Sequence, residues 1–353
     1  MSIVTRSRIT LVRVMLLTIT ATACSEAAGV GGDYDPRVAA DAVETMASVG
    51  TNTEDAFSSL ALASADVFEG TTGAALVPLD PQQLSSADAH RLLALQSQPF
   101  FPSNALGMTF VYDEAEGGYV ASDETGAPSD GVRVIYYAVD PISQEPASPL
   151  NALGYIDVRD LGGASSERAG ILIVRTSGAQ NVTLADYYID VAQTATSSSA
   201  GIHLTAPGYI SNGAERLDFA LSSDLLVSES RLELEQDHSM ALAGGGPSVA
   251  MTGVVVTDFD LETFTYDLTS TIESDAGRVI FVLSVTGETL EGEVLHNSTR
   301  VATIGGTLQT PTFTDAQGES LDAAERESLS GLFDGIDALV ELAEGIFATG
   351  PAE

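Results

Sequence analysis

Lysine and tryptophan are absent from this 353-residue sequence, and cysteine occurs once, at Cys24. Without lysine the chain cannot form a Walker-type phosphate-binding loop, which requires that residue. A single cysteine allows no internal disulfide bond, so a folded core has to be held together by packing alone. All 14 basic residues are arginine, against 50 acidic residues. Such an acidic surface repels phosphate backbones, which excludes nucleic acid as a partner and favours a cationic one.

Familiar catalytic and cofactor motifs are missing as well. The sequence has neither the His-Glu-x-x-His pattern of zinc proteases nor the Gly-x-Ser-x-Gly turn that carries a nucleophilic serine. The glycine-rich stretch 244–247 lacks the spacing of a dinucleotide-binding fingerprint and is predicted to be a loop. The sequence therefore predicts no catalytic, cofactor-binding or metal-binding residue.

Residues 1–23 have the order of a secretory signal peptide. Arg6, Arg8 and Arg13 give a positively charged start without acids, and an apolar run follows over 14–20. That run is about half of the roughly 20 residues that a membrane-spanning helix needs, so no permanent transmembrane anchor is expected there. Removal of this segment leaves 11 arginines against 50 acids, a formal charge of −39.

Small residues, Ala21-Thr22-Ala23, stand directly before the single cysteine, Cys24. This arrangement resembles the lipobox of bacterial lipoprotein signal peptides, and the resemblance covers residues 1–24 only. It implies cleavage after Ala23, diacylglyceryl on the Cys24 sulfur, acylation of the new amino terminus and attachment to the cell envelope. Ser25, which is not Asp, implies the outer membrane under the sorting rule of some Gram-negative bacteria. The alternative is an ordinary secreted protein in which Cys24 is a lone structural cysteine.

After a flexible tether over 24–34, residues 35–97 are predicted to be helical. Asp35-Pro36 is a capping residue followed by proline at the first helical position, and Gly50 offers a stop. A second helix is predicted to begin near Thr53, with Gly70 after its end, and a third is predicted over 86–96. Helical spacing predicts one buried face on each of the first two helices. In the first helix this face comprises Val38, Ala42, Met46 and Val49, and in the second it comprises Phe57, Leu60, Ala61, Ser64 and Phe68.

Residues 107–310 instead alternate with a period of two, which is typical of strands. The main runs are 131–140, 154–161, 169–176, 182–192, 202–210, 214–221, 231–242, 264–269 and 279–285. Turn residues separate them at 116–118, 275–277, 297–298 and 305–306. Nothing helical lies between the runs, so neighbours should pair antiparallel as a meander of ten to twelve strands. A sheet that wide must curl, split or close.

A last helix is predicted over 320–348, beginning at Ser320. Its apolar face comprises Leu329, Leu332, Phe333, Ile336, Leu339, Val340, Ala343 and Phe347, and its other face carries Asp334, Asp337, Glu341 and Glu344. Helices that lie on membranes usually present basic residues, so this one is expected to pack on the sheet. We therefore predict a mainly β, α+β fold over 35–350, a single globular domain with a large curled antiparallel sheet packed by helices.

Two groups of polar residues could still carry chemistry. Four histidines (His90, His203, His238 and His296) are scattered, and their spacing does not indicate a metal site. Asp258, Asp260 and Glu262 alternate near a strand end, where they could offer oxygen ligands to Ca²⁺. They lack the spacing of a calcium loop, so a solvated turn is the expected structure.

The leading functional hypothesis is a lipid-anchored envelope lipoprotein that is not an enzyme and serves as a binding or structural module. An apolar ligand in the concave face of the sheet, or a cationic partner, is compatible with it. The alternatives are a hydrolase that uses paired carboxylates with raised pKa values and a cation-binding acidic surface protein. An apolar cavity inside the sheet would favour the ligand carrier, and a filled core would favour a structural role.

Overall fold

A computed structural model describes residues 36–67, 104–143, 145–162, 167–178, 180–195, 199–228, 230–261, 263–275, 277–307 and 310–347. In these ranges the chain forms two helices, fifteen strands and a third helix. The helices are α1 (Pro36–Gly50), α2 (Glu54–Val67), which follows α1 after the 3-10 turn Thr51–Thr53, and α3 (Ala323–Phe347). The predicted leader, tether, Cys24 and helix over 86–96 lie outside the described residues.

The fifteen strands belong to one sheet. In chain order they are β1 (Thr109–Asp113), β2 (Gly118–Ser122), β3 (Gly131–Tyr137), β4 (Ala152–Asp160), β5 (Glu167–Ser177), β6 (Gln180–Ala195), β7 (Ser199–Ser211), β8 (Arg216–Ser228), β9 (Arg231–Leu242), β10 (Ser248–Asp258), β11 (Thr263–Ser274), β12 (Gly277–Thr286), β13 (Thr289–His296), β14 (Thr299–Thr307) and β15 (Thr310–Asp315).

From β3 to β15 each strand pairs antiparallel with the next, which confirms the predicted meander. The sheet is wider than the ten to twelve strands predicted, since β10 and several short strands escaped the periodicity analysis. One pair is parallel: β1 lies beside β3, with Phe110 opposite Val134, and β2 returns along its outer side. The sheet is therefore mixed, although it is antiparallel along most of its width.

Because successive strands run in opposite directions, their turns form two rows. We call the row that contains the turns after β4, β6, β8, β10 and β12, together with the starts of β1 and β3, the lower end of the sheet. The upper end contains the turns after β1, β3, β5, β7, β9, β11 and β13. These two names are used below for position along the strands.

Alternate residues of the strands are buried on one face, the inner face, which the helices cover. Val279, Phe281, Leu283 and Val285 are all buried there, as their spacing predicts, and so are Val132, Val134 and Tyr136. One hydrophobic cluster joins residues of α1, α2 and α3 to strands from β1 to β14. Burial on this scale is the main source of stability in a chain without disulfides.

The buried face of α1 differs from the prediction by one residue. Ala39, Val43, Met46 and Val49 are buried, whereas Val38 is exposed and Ala42 is half-buried. The spacing 38, 42, 46, 49 and the spacing 39, 43, 46, 49 both fit a helix, and only packing against α3 selects between them. In α2, Leu60 and Ser64 are buried as predicted, whereas Phe57 and Ala61 are half-buried and Phe68 lies outside the described residues.

Gly50 is the last residue of α1, as predicted. Its backbone is right-handed (φ −71°, ψ −28°) rather than left-handed, and the chain continues through the 3-10 turn into α2. A Cβ atom at this position would lie 2.8 Å from Cδ1 of Leu342 on α3. Close packing, rather than a left-handed backbone, therefore explains why this residue is glycine.

Helix α3 begins at Ala323, three residues later than predicted, and its amino-terminal cap is Asp322. The Glu325 amide donates to Oδ1 of Asp322 (2.8 Å), and the Asp322 amide donates to Oε2 of Glu325 (3.0 Å). This reciprocal pair is a capping box. The predicted apolar face is largely confirmed, with Leu329, Leu332, Ile336, Leu339, Ala343 and Phe347 buried and with Phe333 and Val340 half-buried.

Helix α3 crosses the inner face from β12 toward β6. Near its start, Phe333 stacks edge-on against Phe281 of β12, with ring centroids 5.8 Å apart. Near its end, the carbonyl of Ile346 accepts a hydrogen bond from the Tyr187 hydroxyl of β6 (3.2 Å). Helix α1 lies beside α3 and also contacts β7, β8 and β11. The helices thus fill the inside of the curved sheet.

Three of the four predicted turns are confirmed. Gly117 and Gly277 adopt positive φ between strands, and Asn297 and Ser298 form the β13–β14 turn with φ of 49° and 71°. Gly305 and Gly306 instead lie within β14. At Gly306 (φ +100°) a Cβ atom would lie 2.4 Å from the Thr310 carbonyl oxygen, so close approach of β15 requires glycine there.

Candidate functional site

The predicted attachment site, Cys24, lies outside the described residues, so its lipidation stays a prediction. Among the helices that the structure describes, none is both long and apolar enough to cross a bilayer. In the folded part, histidines, carboxylates and surface depressions are the features that could form a site.

The histidines are not brought together. His203 on β7 is exposed, and its Nδ1 lies 2.7 Å from a carboxylate oxygen of Asp224 on β8. His238 on β9 is buried beneath the end of α3, with its ring centroid 6.4 Å from that of Phe347. His296 is at the end of β13, and His90 lies outside the described residues. Separate strands hold these side chains, as their spacing indicated.

His238 is the least expected of them, because its Nε2 atom is buried and has no hydrogen-bond partner among the described residues. Burial lowers its pKa to about 4, against a small opposing effect of the Asp237 carboxylate. The ring is therefore neutral at neutral pH. Its position on the inner face follows from the alternation in β9, where Leu232, Leu234 and Met240 share that face.

The acidic run 258–262 belongs to the turn between β10 and β11. Oδ1 of Asp258 accepts hydrogen bonds from the amides of Asp260 (3.0 Å) and Leu261 (2.9 Å). This carboxylate thus organises the turn, as Asp often does. Glu262 lies outside the described residues. Within the described part of the chain, no group of three His, Cys, Asp or Glu side chains could hold a metal ion.

A set of carboxyl groups with raised pKa values lies along α3 and at the start of α2. Burial raises the pKa of Asp337, and the nearby carboxylates of Glu341 and Asp334 raise it further. Burial also raises the pKa of Glu54, with contributions from Asp55 and Glu341. Carboxyl groups with raised pKa values are candidates for general acids.

Three of these acids lie along the exposed side of one helix. Asp334, Asp337 and Glu341 follow one another at three- and four-residue spacing on a single helix and remain accessible to solvent. Tyr266 of β11 is near them, and burial, with Glu344 and Asp337, raises its pKa to about 12. Burial is the main cause of the raised pKa values, and repulsion from neighbouring carboxylates adds to it at Asp337 and Glu54.

Where α1 and α3 cross the inner face, the described side chains beneath them are closely packed. The inward residues Phe219, Met240, Val249 and Ile272, which lie across β8 to β11, are all buried. An open depression of about 560 Å³ lies on the opposite face of the same strands. Its floor is made by the exposed small side chains of Ala220, Ser239 and Ala250, with Asp218, Glu273 and Arg278 beside them. This depression is broad and open, with charged side chains at its rim.

Two neighbouring hairpins share an arrangement that the sequence reasoning missed. Arg133 of β3 pairs with Asp157 of β4 through two hydrogen bonds (2.7 and 2.8 Å) and stacks 3.8 Å from the centre of the Tyr155 ring. Arg168 of β5 likewise pairs with Asp190 of β6 and stacks over Tyr188 at 4.5 Å. The signal for both is the Tyr-Ile-Asp-Val sequence, which occurs at 155–158 and 188–191.

A third arginine, Arg216 of β8, is held similarly, by Asp218 and by the ring of Tyr209 at 3.8 Å. In each case the guanidinium lies between a carboxylate and an aromatic face, which satisfies its charge and its planar surface. The positive charges of these three arginines are already paired with carboxylates, so they attract an anionic ligand to the outer face only weakly. The arrangement stabilises the sheet.

Comparison with models of protein families, with curated proteins and with solved structures found no significant match.

Proposed function

We propose that this chain is a lipid-anchored lipoprotein of the bacterial cell envelope and that its folded part is a non-enzymatic, structural module. The observation that carries the proposal is the placement of the only cysteine directly after a basic start, a short apolar run and three small residues. Cys24 then bears the lipid, and Ser25 directs the protein to the outer membrane rather than the inner one.

A structural role is supported over a carrier role by the way the helices fill the sheet. The inward side chains of the central strands are buried against one another and against α1 and α3. A carrier of acyl chains would need an apolar cavity at this place. The depression of about 560 Å³ lies outside the sheet and has a polar rim, which does not suit an acyl chain.

The anchor is tested by replacing the thiol. Cys24→Ala removes the sulfur that would carry diacylglyceryl, so the variant should leave the membrane fraction and keep its signal peptide. Mass spectrometry of the wild-type amino terminus should show a chain that begins at Cys24 and carries fatty acids. Two or more acyl chains anchor a protein stably, because each buried CH₂ contributes about 0.8 kcal/mol.

Ser25→Ala is the matched control, since it keeps the thiol and should remain acylated. Ser25→Asp should move the protein from the outer to the inner membrane in a Gram-negative host that follows the sorting rule. A Cys24→Ala protein that stays as firmly membrane-bound as the wild type would refute the anchor.

The structural role is tested by ligand titration. A fluorescent fatty acid added to delipidated protein should show no saturable binding, because the inner face is filled. Val249→Ala, which truncates a buried side chain beneath the helices, provides a control for a created cavity. Saturable binding to the unsubstituted protein at micromolar concentration would restore the carrier function.

A further inference from the structure

Exposed leucines gather at one end of the sheet. Six large apolar side chains of the described residues are exposed, namely Val38, Leu106, Ile142, Leu161, Leu226 and Leu261. All four leucines lie at the lower end, with exposed fractions between 41% for Leu106 and 71% for Leu261. The upper end has Ile142 alone, in the connection between β3 and β4.

The register of the sheet places each leucine at that end. Leu106 precedes Gly107, whose amide donates to the Gly131 carbonyl at the start of β3 (2.8 Å). Leu161 begins the β4–β5 connection, and Leu261 lies in the β10–β11 turn. Leu226 is two residues from the end of β8 and points away from the inner face. Strands are about 4.8 Å apart, so these side chains form a spaced row along the rim.

Further apolar side chains lie just inside this rim. Leu225, Val227, Leu232, Leu234 and Val255 form a second hydrophobic cluster near the lower ends of β8, β9 and β10. Phe259, in the turn beside Leu261, packs against them. Two of the rim leucines, Leu226 and Leu261, therefore lie beside a packed apolar cluster.

Ion pairs at the same end neutralise several carboxylates. Asp130 is paired with Arg159 (2.7 Å), Asp190 with Arg168, and Glu233 with Arg231 (3.0 Å). Pairing reduces the cost of bringing these charges near a low-dielectric surface. Asp160, Asp258 and Asp260 keep this end acidic, so anionic headgroups are disfavoured.

We propose that the lower end of the sheet docks on the uncharged lipid surface of the membrane that holds the anchor, with the rim leucines inserted among the headgroups. This inference rests on the proposed lipid anchor. The tether over 24–34 spans at most about 40 Å, so it keeps the folded part beside the bilayer. Leucine side chains gain free energy when they leave water for the headgroup boundary, and the tether supplies the high local concentration of lipid.

The absence of tryptophan provides a clean test. Leu261→Trp and Ile142→Trp each introduce a single indole, one at the lower end and one at the upper end, where Ile142 is 93% exposed. Each acylated protein is reconstituted in phosphatidylcholine vesicles that contain brominated lipid. We expect a blue shift and quenching for Leu261→Trp and neither for Ile142→Trp. Equal quenching of both, or stronger quenching of Ile142→Trp, would overturn the docking.

A second measurement separates docking from anchoring. Cys24→Ala protein with Leu261→Trp, mixed with excess phosphatidylcholine vesicles, should show the blue shift without the lipid anchor. Adding Leu106→Ser and Leu226→Ser should lower the partition coefficient by about tenfold for each leucine that inserts. Docking would be refuted if the indole emission shifted in neither the unanchored nor the anchored protein. If wild-type protein lacks acyl chains while the unanchored protein still binds vesicles, the anchor fails and docking stands.

Discussion

At the scale of single residues, the buried imidazole of His238 is the most consequential polar group of the core. Its Nε2 atom has no hydrogen-bond partner among the described residues, and the aromatic ring of Phe347 lies beside it. A neutral ring tolerates this position, whereas a charged one has to be desolvated. Protonation is therefore coupled to the docking of the last turn of α3.

The pH dependence of stability follows from the sign of this shift. The folded pKa of about 4 is below the ordinary value of 6.5, so the unfolded chain takes up a proton first as pH falls. Full stability is present above pH 6.5 and is lost between pH 6.5 and 4. The loss amounts to about 3 kcal/mol at most, at about 1.4 kcal/mol per pH unit. Urea unfolding at pH 7.5 and pH 5 measures it.

His238→Leu should remove most of this loss while keeping the side chain apolar. His203→Gln is the control, since His203 is exposed and its replacement should leave the loss in place. If wild type and His238→Leu lose the same free energy of unfolding from pH 7.5 to pH 5, the coupling is absent.

At the scale of elements, α1 and α3 pack closely through glycines of α3. The Cβ of an alanine at position 335 would lie 2.8 Å from Cγ1 of the fully buried Val43. At position 331 the nearest atom would be the Ala40 Cβ, at an ordinary 3.8 Å. The two glycines are one turn apart on the same helix, and they differ only in the space beside them.

This difference predicts opposite effects of one substitution. Gly335→Ala should lower the free energy of unfolding by about 1–3 kcal/mol, because overpacking against Val43 outweighs the gain in helix propensity. Gly331→Ala should raise it by up to about 1 kcal/mol, since propensity acts there without a clash. Denaturant unfolding of both variants measures the contrast. Equal effects would show that the α1–α3 distance is not set at Gly335.

Sequence patterns predicted the kinds of elements better than their contacts. Alternation identified the buried faces of β3 and β12 because each strand has only two faces, one of which must be buried. A helix can be buried along several neighbouring stripes of its surface. The sequence pattern predicted Val38 and Ala42 as buried residues of α1, whereas packing against α3 buries Ala39 and Val43. Ser320 resembles a cap as much as Asp322 does, and only the reciprocal bond with Glu325 decides between them.

At the scale of the whole molecule, charge is the dominant property. After removal of residues 1–23 the chain has a formal charge of −39, so there are too few arginines to pair with most of its carboxylates. Repulsion among them opposes the compact state. The paired arginines of the outer face relieve it only locally.

Salt should therefore stabilise the fold. Between 0.01 M and 0.15 M salt the screening length falls from about 30 Å to about 8 Å, so most of the rise in Tm should occur in that range. Thermal unfolding in NaCl measures it. A Tm that is flat up to half-molar NaCl would contradict the prediction, and a rise that begins only above that range would point to surface exclusion of salt instead.

The width of the sheet and its one parallel pair were beyond prediction from local patterns. Short connections between neighbouring strands explain why those strands pair antiparallel. The parallel pairing of β1 with β3, which puts the β1–β2 hairpin at the edge of the sheet, is not indicated by any local residue pattern. The candidate site divides in the same way. The motif at Cys24 can be read from sequence, whereas the row of leucines emerges only when the register brings Leu106, Leu161, Leu226 and Leu261 to one end.

The contact between α1 and α3 also sets an order of events. Thirteen hairpin-linked strands can form one after another as the chain emerges amino terminus first, since each needs only its predecessor. The partner of Val43, however, is Gly335, almost three hundred residues later. Until α3 has been synthesised, the inward side chains of the central strands remain exposed to water. We therefore expect a chaperone to bind the nascent or truncated polypeptide through these side chains, and to be released when α3 is complete.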